Sequence, residues 1–400
     1  MTSPNLPGTM GRVMRRGFML LVVATLSACT TTQFVEANST PVRQSDRKIP
    51  DNLLLDIGVL PFEPNVPKSE SAQKKELIDP NVRRAESQYI AYHLKSTLEL
   101  TGDWGAVRVI PETSDAVDLT ITGKILVSDG EQLKGHVTAI DSQGRVWIDK
   151  DYTDSASKYA YNDTQEDPFQ DFYNKIANDL LTRRDRMNNQ QLATIRQVSA
   201  LKYARDLSPE AFSRYLNERG GLTTFKELPA DTNDMLARVT KIKQREYRFV
   251  DTLDNYYSKF NREMKPSYDE WRHSTYKEAV RLRMLDAQAR NRILGGAALV
   301  LGGLYAGQQS NTYAGQAASI ASVVGGIGTI KTGLDKKAES EINRRSLQEL
   351  SQSLGSEIKP YVLDVEGRTI ELKGSADQQF KQWQKLLKQI YVEETGLPAK

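Results

Sequence analysis

The chain has 400 residues, of which 39% are hydrophobic and 26% are charged. These ordinary globular values exclude a disordered chain, a fibrous repeat and a polytopic membrane protein. One Cys and three His exclude a disulfide framework and argue against a Cys- or His-rich metal site. Residues 1–28 hold three Arg and no acidic residue, so the rest of the chain has 51 basic and 51 acidic side chains. That balance gives no support for nucleic-acid binding.

The N-terminus has the pattern of a secretion signal. Arg12, Arg15 and Arg16 precede a short apolar run at 17–26. This run is too short to span a hydrocarbon core, which needs about 20 apolar residues. Residues 1–28 are therefore predicted to be a cleaved signal peptide.

The next motif, Leu26, Ser27, Ala28 and Cys29, resembles the bacterial lipobox. The resemblance implies a diacylglyceryl group on the Cys29 sulfur, cleavage before Cys29 and acylation of the new amine, for example with palmitate. Residue 30 is Thr rather than Asp. In lipoproteins of diderm bacteria, this implies transport to the outer membrane, facing the periplasm. The alternative is a chance Cys after an ordinary signal peptide.

Residues 29–50 are polar and aperiodic, which is typical of a flexible tether. Residues 51–190 are predicted to form a small α/β domain with the element order β-α-β-β-β-β-α. The predicted strands are 53–62, 107–110, 119–127, 133–140 and 146–152, and the predicted helices are 83–100 and 169–180. Alternating apolar and polar residues and the turn signal Asp129-Gly130 predict that the last three strands form an antiparallel meander with one solvated face.

Two segments of this region, GVLPF at 58–62 and DLTITGKI at 118–125, resemble the small α/β domain of several envelope lipoproteins. Examples are the curli-secretion channel family and the auxiliary lipoproteins of ABC-type transporters. The likeness covers a minor part of the chain. It implies a domain that mediates assembly and is not an enzyme.

Residues 191–294 are predicted to be a helical region. Ser208 as N-cap and Pro209 at the first helical position begin one helix, which Gly220-Gly221 is expected to end. A long helix is predicted over 231–265, where apolar residues recur every three or four positions and favour packing on another helix.

Two residues interrupt the apolar helical pattern of this region. Glu246 is the one break in the apolar pattern, and Pro266 is expected to end the helix, with a second helix over 268–293. Tyr and Arg residues recur on both helices and could bind an anionic polymer or lipid. Because acidic residues are interleaved with them, core tyrosines and a solvated charged face are the favoured interpretation.

Residues 295–334 are predicted to form a helical hairpin that resembles a glycine zipper. Two uncharged arms, 293–306 and 317–330, flank a polar connector. Small residues that let helix backbones approach closely are Ala298, Gly302, Gly303, Ala306, Gly307, Ala317, Ala321, Gly325 and Gly333. Each arm is roughly 21 Å long at 1.5 Å per residue, shorter than the ~30 Å hydrocarbon core. Packing within the fold, contact between copies and membrane insertion all remain open.

A phosphate-binding loop is not expected in the second arm. Ile330 occupies the Gly position that must precede Lys331-Thr332, and Lys331 occupies the third Gly of the dinucleotide pattern. The sequence therefore predicts no nucleotide and no cofactor.

Residues 335–400 are predicted to contain a charged helix at 335–358, a β-hairpin at 361–365 and 369–372, and a last helix at 376–391. The inward-facing residues of that helix are predicted to be Phe380, Trp383, Leu386, Leu387 and Ile390. Together with the N-terminal domain, these elements predict the α+β class.

No catalytic or metal-binding motif stands out. The histidines, His93, His136 and His273, are predicted on a helix, the polar face of a strand and another helix. The carboxylate groups are typical of an ordinary surface; they are Glu166, Asp167 and Asp171, and Asp149 and Asp151. The sequence thus predicts a lipid-anchored, non-catalytic scaffold or assembly factor at the outer membrane, without nucleic-acid, nucleotide or metal partners. The alternatives are a secretion or transport pore subunit with a membrane-inserted hairpin and, with less support, an envelope hydrolase.

Overall fold

The strands of the N-terminal region assemble into one mixed sheet. In the computed structural model, the described residues are 40–45, 47–161, 166–230, 234–306, 345–346, 348–349, 352, 361–365 and 368–396. The five strands of this sheet are β1 (Ile57–Val59), β2 (Val107–Val109), β3 (Leu119–Ser128), β4 (Gln132–Asp141) and β5 (Val146–Ser155). Their order is β2-β1-β3-β4-β5, with β1 parallel to β2 and β3 and the others antiparallel. The predicted meander is confirmed.

The burial pattern of the strands follows the sequence pattern. The short apolar strand β1 is buried throughout, as expected for a strand between two parallel neighbours. In β3, Leu119, Ile121 and Ile125 are buried, whereas Thr120 and Thr122 point to the opposite, more open face. A side chain at Gly123 would overlap the ring of buried Phe62, so glycine leaves the space in which this ring packs against β3.

Two helices cover the inner face of the sheet. They are α2 (Pro80–Leu100) and α3 (Gln170–Asp185), whereas the short helix that precedes them, α1 (Glu70–Lys75), has no buried residue. Asp79 caps α2 by accepting from the backbone N–H groups of Asn81 and Val82, and Pro80 fills the first position, where no N–H donor is needed. The element order predicted for this region is confirmed, with α1 as an added short helix.

The segment after α3 differs from the prediction. Helix α4 spans Asn189–Leu207, and α5 is a single turn, Pro209–Phe212. Instead of a longer helix, the chain then forms a hairpin of β6 (Leu216–Arg219) and β7 (Leu222–Phe225). Gly220 and Gly221, which lie in the turn, both have positive φ. Such a pair suits a two-residue hairpin turn as well as a helix stop, which explains why the predicted helix is wrong.

The expected break at Pro266 is also wrong. One helix, α6 (Asp234–Ala306), runs through it for 73 residues. Pro removes one backbone hydrogen bond and normally kinks or ends a helix. Here buried side chains on both sides of Pro266, including Phe260, Met264 and Tyr268, pack with α2 in a second hydrophobic cluster. This packing holds the helix together across the Pro.

The C-terminal hairpin and last helix agree with the prediction, whereas most of the predicted helix at 335–358 lies outside the described residues. Strands β8 (Tyr361–Val365) and β9 (Arg368–Leu372) form a hairpin, and α7 (Ala376–Thr395) follows with a capping box at Ser375. On α7, Phe380, Trp383, Leu387 and Ile390 are buried, whereas Leu386 is half-buried. The ring centroid of Trp383 lies 5.3 Å from that of Phe249, so α7 packs against the first part of α6. The fold is α+β.

The glycine-rich region is only partly described. Ala298, Gly302, Gly303 and Ala306 lie on the α6 backbone; Gly307, Ala317, Ala321, Gly325 and Gly333 lie outside the described residues. Beyond that region, helical Ser346 lies 3.0 Å from Ser267 between hydroxyl oxygens, so the chain returns to α6. Within the described part of the chain, no helix has both the length and the hydropathy to cross a membrane.

Candidate functional site

A cavity of about 630 Å³ lies where five parts of the fold meet. Its walls are the open face of β3 and β4, helix α4, the β6–β7 turn, α6 and α7. The lining side chains are mainly polar and include Ser114, Asp115, Thr120, Thr122, Asp141, Lys202, Tyr203, Asp206, Thr223, Glu246, Gln384 and Lys388. The cavity is therefore a polar recess built from segments that are far apart in sequence.

One wall depends on two glycine turns. The backbone N–H of Thr223 donates to the Gln143 carbonyl at 2.9 Å, which docks the β6–β7 hairpin on the β4–β5 turn. Gly144 has a φ of 83°, and a Cβ there would lie 2.4 Å from the Gly221 carbonyl oxygen. Glycine at position 144 therefore lets the backbones of the two turns lie this close together.

Glu246, the polar break in the apolar pattern of α6, lies in this cavity. It is 2% exposed, and the Ser114 hydroxyl donates to its Oε1 at 2.7 Å. Burial raises the pKa of the Glu246 carboxyl, while Ser114 and the positive charge of Lys243 oppose that rise. Burial also lowers the pKa of the Lys243 ammonium. Among the described residues, no cationic group lies within 4.0 Å of the Glu246 carboxyl.

The other lining carboxylates have partners. Asp115 accepts from Lys202 at 2.8 Å, and Asp206 accepts from Lys388 at 2.9 Å. The Asp141 carboxylate accepts hydrogen bonds from the indole N–H of Trp147 at 2.9 Å and from two backbone N–H groups. Glu246 is thus the acidic lining residue whose charge the protein itself leaves unpaired within the described residues.

Tyr203 lies beside Glu246 and is 4% exposed. Its hydroxyl is close enough to the carboxyl for burial and that negative charge to raise the pKa of Tyr203. The hydroxyl is thus a second polar group beside the carboxyl, and its phenolic oxygen can also accept a hydrogen bond.

A second polar cluster fastens α6 to the sheet domain. Arg272 is 1% exposed and donates through both Nη atoms to the two oxygens of Asp167, at 3.1 and 2.9 Å. Its guanidinium carbon lies 4.2 Å from the ring centroid of Tyr268, and Tyr89 donates to Asp167 at 3.0 Å. Burial alone would raise the pKa of Asp167, but the Arg272 charge outweighs it and holds that pKa well below its usual value.

This Arg272–Asp167 clamp corrects two sequence interpretations. Asp167 was expected at the surface and is buried; Arg272 was expected on a solvated face and is buried as well. The spacing of Met264, Tyr268 and Arg272, each four residues apart, could have indicated that Arg272 continues the buried stripe of α6. Its partner is 105 residues away in sequence and carries no local signal.

The histidines have separate structural partners. His93 Nε2 lies 2.7 Å from the Gln170 side chain. His136 Nδ1 and Nε2 each lie 2.8 Å from a carboxylate oxygen, of Asp151 and Asp149 respectively, and these contacts raise the pKa of His136. The His273 ring stacks on Tyr161 at 5.3 Å between centroids. The three rings thus lie on different elements.

The predicted lipidation motif, Leu26, Ser27, Ala28 and Cys29, lies outside the described residues. Within the described part, no group of three or more His, Cys, Asp or Glu side chains could hold a metal ion. Comparisons with protein-family models, curated proteins and solved structures found no match to this chain.

Proposed function

We propose that this chain is a lipid-anchored, non-catalytic scaffold of the bacterial cell envelope. The observation that carries the proposal is the lipobox-like sequence at 26–29, which follows an Arg-led apolar segment and contains the only Cys of the chain, Cys29. Several acyl chains would hold the protein at a bilayer firmly, since each buried CH₂ contributes about 0.8 kcal/mol.

The shape of α6 supports the scaffold part of the proposal. Among the α6 residues whose burial is described, Ala279 is the last buried one, and the apolar side chains of Leu282, Met284 and Leu285 beyond it are 40–53% exposed. The helix then continues without a break into the glycine-rich segment. Exposed apolar side chains ahead of a segment suited to close helix contact favour a role in protein association.

Lipidation is tested by the mass and membrane attachment of the mature protein. The wild-type protein is expected to carry acyl mass on a fragment that begins at Cys29 and to partition with membranes. Cys29→Ala is expected to lose both, whereas Thr30→Ala should keep both. An unacylated wild-type protein, or membrane attachment that survives in Cys29→Ala, would refute the proposal.

Association is tested by light scattering on detergent-extracted protein. A defined oligomer that Gly302→Leu with Gly325→Leu dissolves, and that Thr252→Leu on the exposed part of α6 leaves intact, is expected for a scaffold built on copies of this chain. If the wild-type protein and both variants are monomers, self-association is contradicted. The glycine-rich segment at 295–334 would then pack only within one protein molecule.

A further inference from the structure

The cavity around Glu246 has the size and chemistry of a small-molecule site. Its volume of about 630 Å³ lies within the range of roughly 300–1,000 Å³ that is usual for ligand pockets. We propose that it binds a small hydroxylated molecule with a primary ammonium group, in the simplest case an amino sugar, with the ammonium on Glu246. This inference is independent of the proposed anchoring function, since it rests only on the folded body.

The ammonium follows from the charges of the lining. Asp115 and Asp206 already pair with lysines, and Asp141 is fully hydrogen-bonded within its own turn. Glu246 is buried beside the hydroxyls of Ser114 and Tyr203 and, within the described chain, has no ion-pair partner. A buried charge without a partner is unfavourable. A ligand ammonium would supply that partner and would bring up to three donors into the site.

The hydroxyl groups follow from the rest of the lining. Side chains that can both donate and accept line the same cavity, among them Thr120, Thr122, Thr223 and Gln384. The buried Tyr203 hydroxyl lies beside the carboxyl, and its oxygen can accept a further hydrogen bond. Ligand hydroxyls can act as donor or acceptor, so they match such groups better than an apolar ligand would.

The lysines do not favour an anionic ligand instead. Lys202 and Lys388 are each held by a carboxylate at the rim. The remaining nearby cation, Lys243, has its ammonium pKa lowered by burial. The lining side chains include four carboxylates and two lysines, so the cavity favours a positive ligand.

The test compares two sugars that differ in one group. Calorimetric titration of the full chain with glucosamine and with glucose measures the contribution of the ammonium, because glucose has a hydroxyl in its place. We expect glucosamine to bind about tenfold more tightly, since a hydrogen bond to a charged group is typically worth at least the 1.4 kcal/mol that corresponds to a factor of ten.

Three variants assign the effect to the cavity. Glu246→Gln keeps the shape and the acceptor for Ser114, and should reduce the preference for glucosamine to parity. Tyr203→Phe should weaken the binding of both sugars by the same factor. Glu263→Gln, a matched change at an exposed position of α6, should change neither.

Thermal unfolding of each variant verifies that it is folded. Equal affinity of the wild-type protein for both sugars would overturn the proposal. So would undetectable binding of both at millimolar concentration, or a preference that persists in Glu246→Gln.

Discussion

The Arg272–Asp167 clamp makes a quantitative prediction about stability. Replacing Arg272 by Met keeps most of the side-chain volume but leaves Asp167, which has 0% side-chain exposure, without its cation. Removing one partner of a buried ion pair typically costs about 3–5 kcal/mol. We expect Arg272→Met to lose that amount of unfolding free energy. Arg283→Met, which breaks a pair with Asp129 and Glu131 in which Arg283 is 32% exposed, should lose less than about 1 kcal/mol.

The loss should depend on pH in a defined direction. In the wild-type protein the pKa of Asp167 is lowered, so its contribution is fully present above the unfolded-state value of about 3.9 and is lost as the pH falls through the folded-state value. Without Arg272, burial should raise the pKa of Asp167 instead. The difference between the two proteins should therefore be largest near neutral pH and shrink in acid.

Urea unfolding followed by tryptophan fluorescence measures this difference, because the Trp271 ring stacks on Tyr268 beside the clamp. A double variant, Arg272→Met with Asp167→Asn, tests the coupling; it should be more stable than the sum of the two single changes predicts. A loss below about 1 kcal/mol, as for an exposed pair, would refute the reasoning. So would a loss that is the same from acidic to neutral pH.

Two further predictions concern α6 and the open sheet face. Pro266→Ala should restore a donor to the carbonyl of Arg262 and raise the unfolding free energy by up to about 3 kcal/mol; a lower melting temperature than that of the wild-type protein would count against this. The raised pKa of His136 means that its ion pairs stabilise the fold below the unfolded-state pKa and lose this effect as the pH rises through the folded-state value. His136→Gln should thus cost less than about 1 kcal/mol in acid, given the exposure of the pair, and nothing in alkali; denaturant titration at both pH values checks this.

Local patterns predicted the elements whose shape depends on neighbours in sequence. The alternation in β3 to β5 and the Asp129-Gly130 turn indicated the meander, and the apolar spacing of α7 indicated its buried face. Where tertiary contacts decide, the local rules gave the wrong result. Pro266 lies in a helix because residues on both sides of it pack against α2.

In the candidate site, too, the sequence pattern indicated one residue but not its neighbours in the fold. Glu246 was visible as a polar break in an apolar pattern, but the hydroxyls beside its carboxyl come from Ser114, in the loop after β2, and from Tyr203 on α4, which no short pattern relates to α6. The pairing of Arg272 with Asp167 likewise joins residues 105 positions apart. Periodicity identifies which residue faces inward but not which distant segment covers it.

The first described residues show where the N-terminal segment joins the folded body. Thr40 donates its backbone N–H to Asp171 at 2.8 Å, and Arg43 and Arg47 pair with Asp185, so the chain is already fastened to α3 from residue 40 onward. Eleven residue steps separate Cys29 from Thr40, which corresponds to at most about 40 Å when the chain is fully extended. If Cys29 carries the proposed lipid, Thr40 would therefore lie within that distance of the lipid-bearing residue.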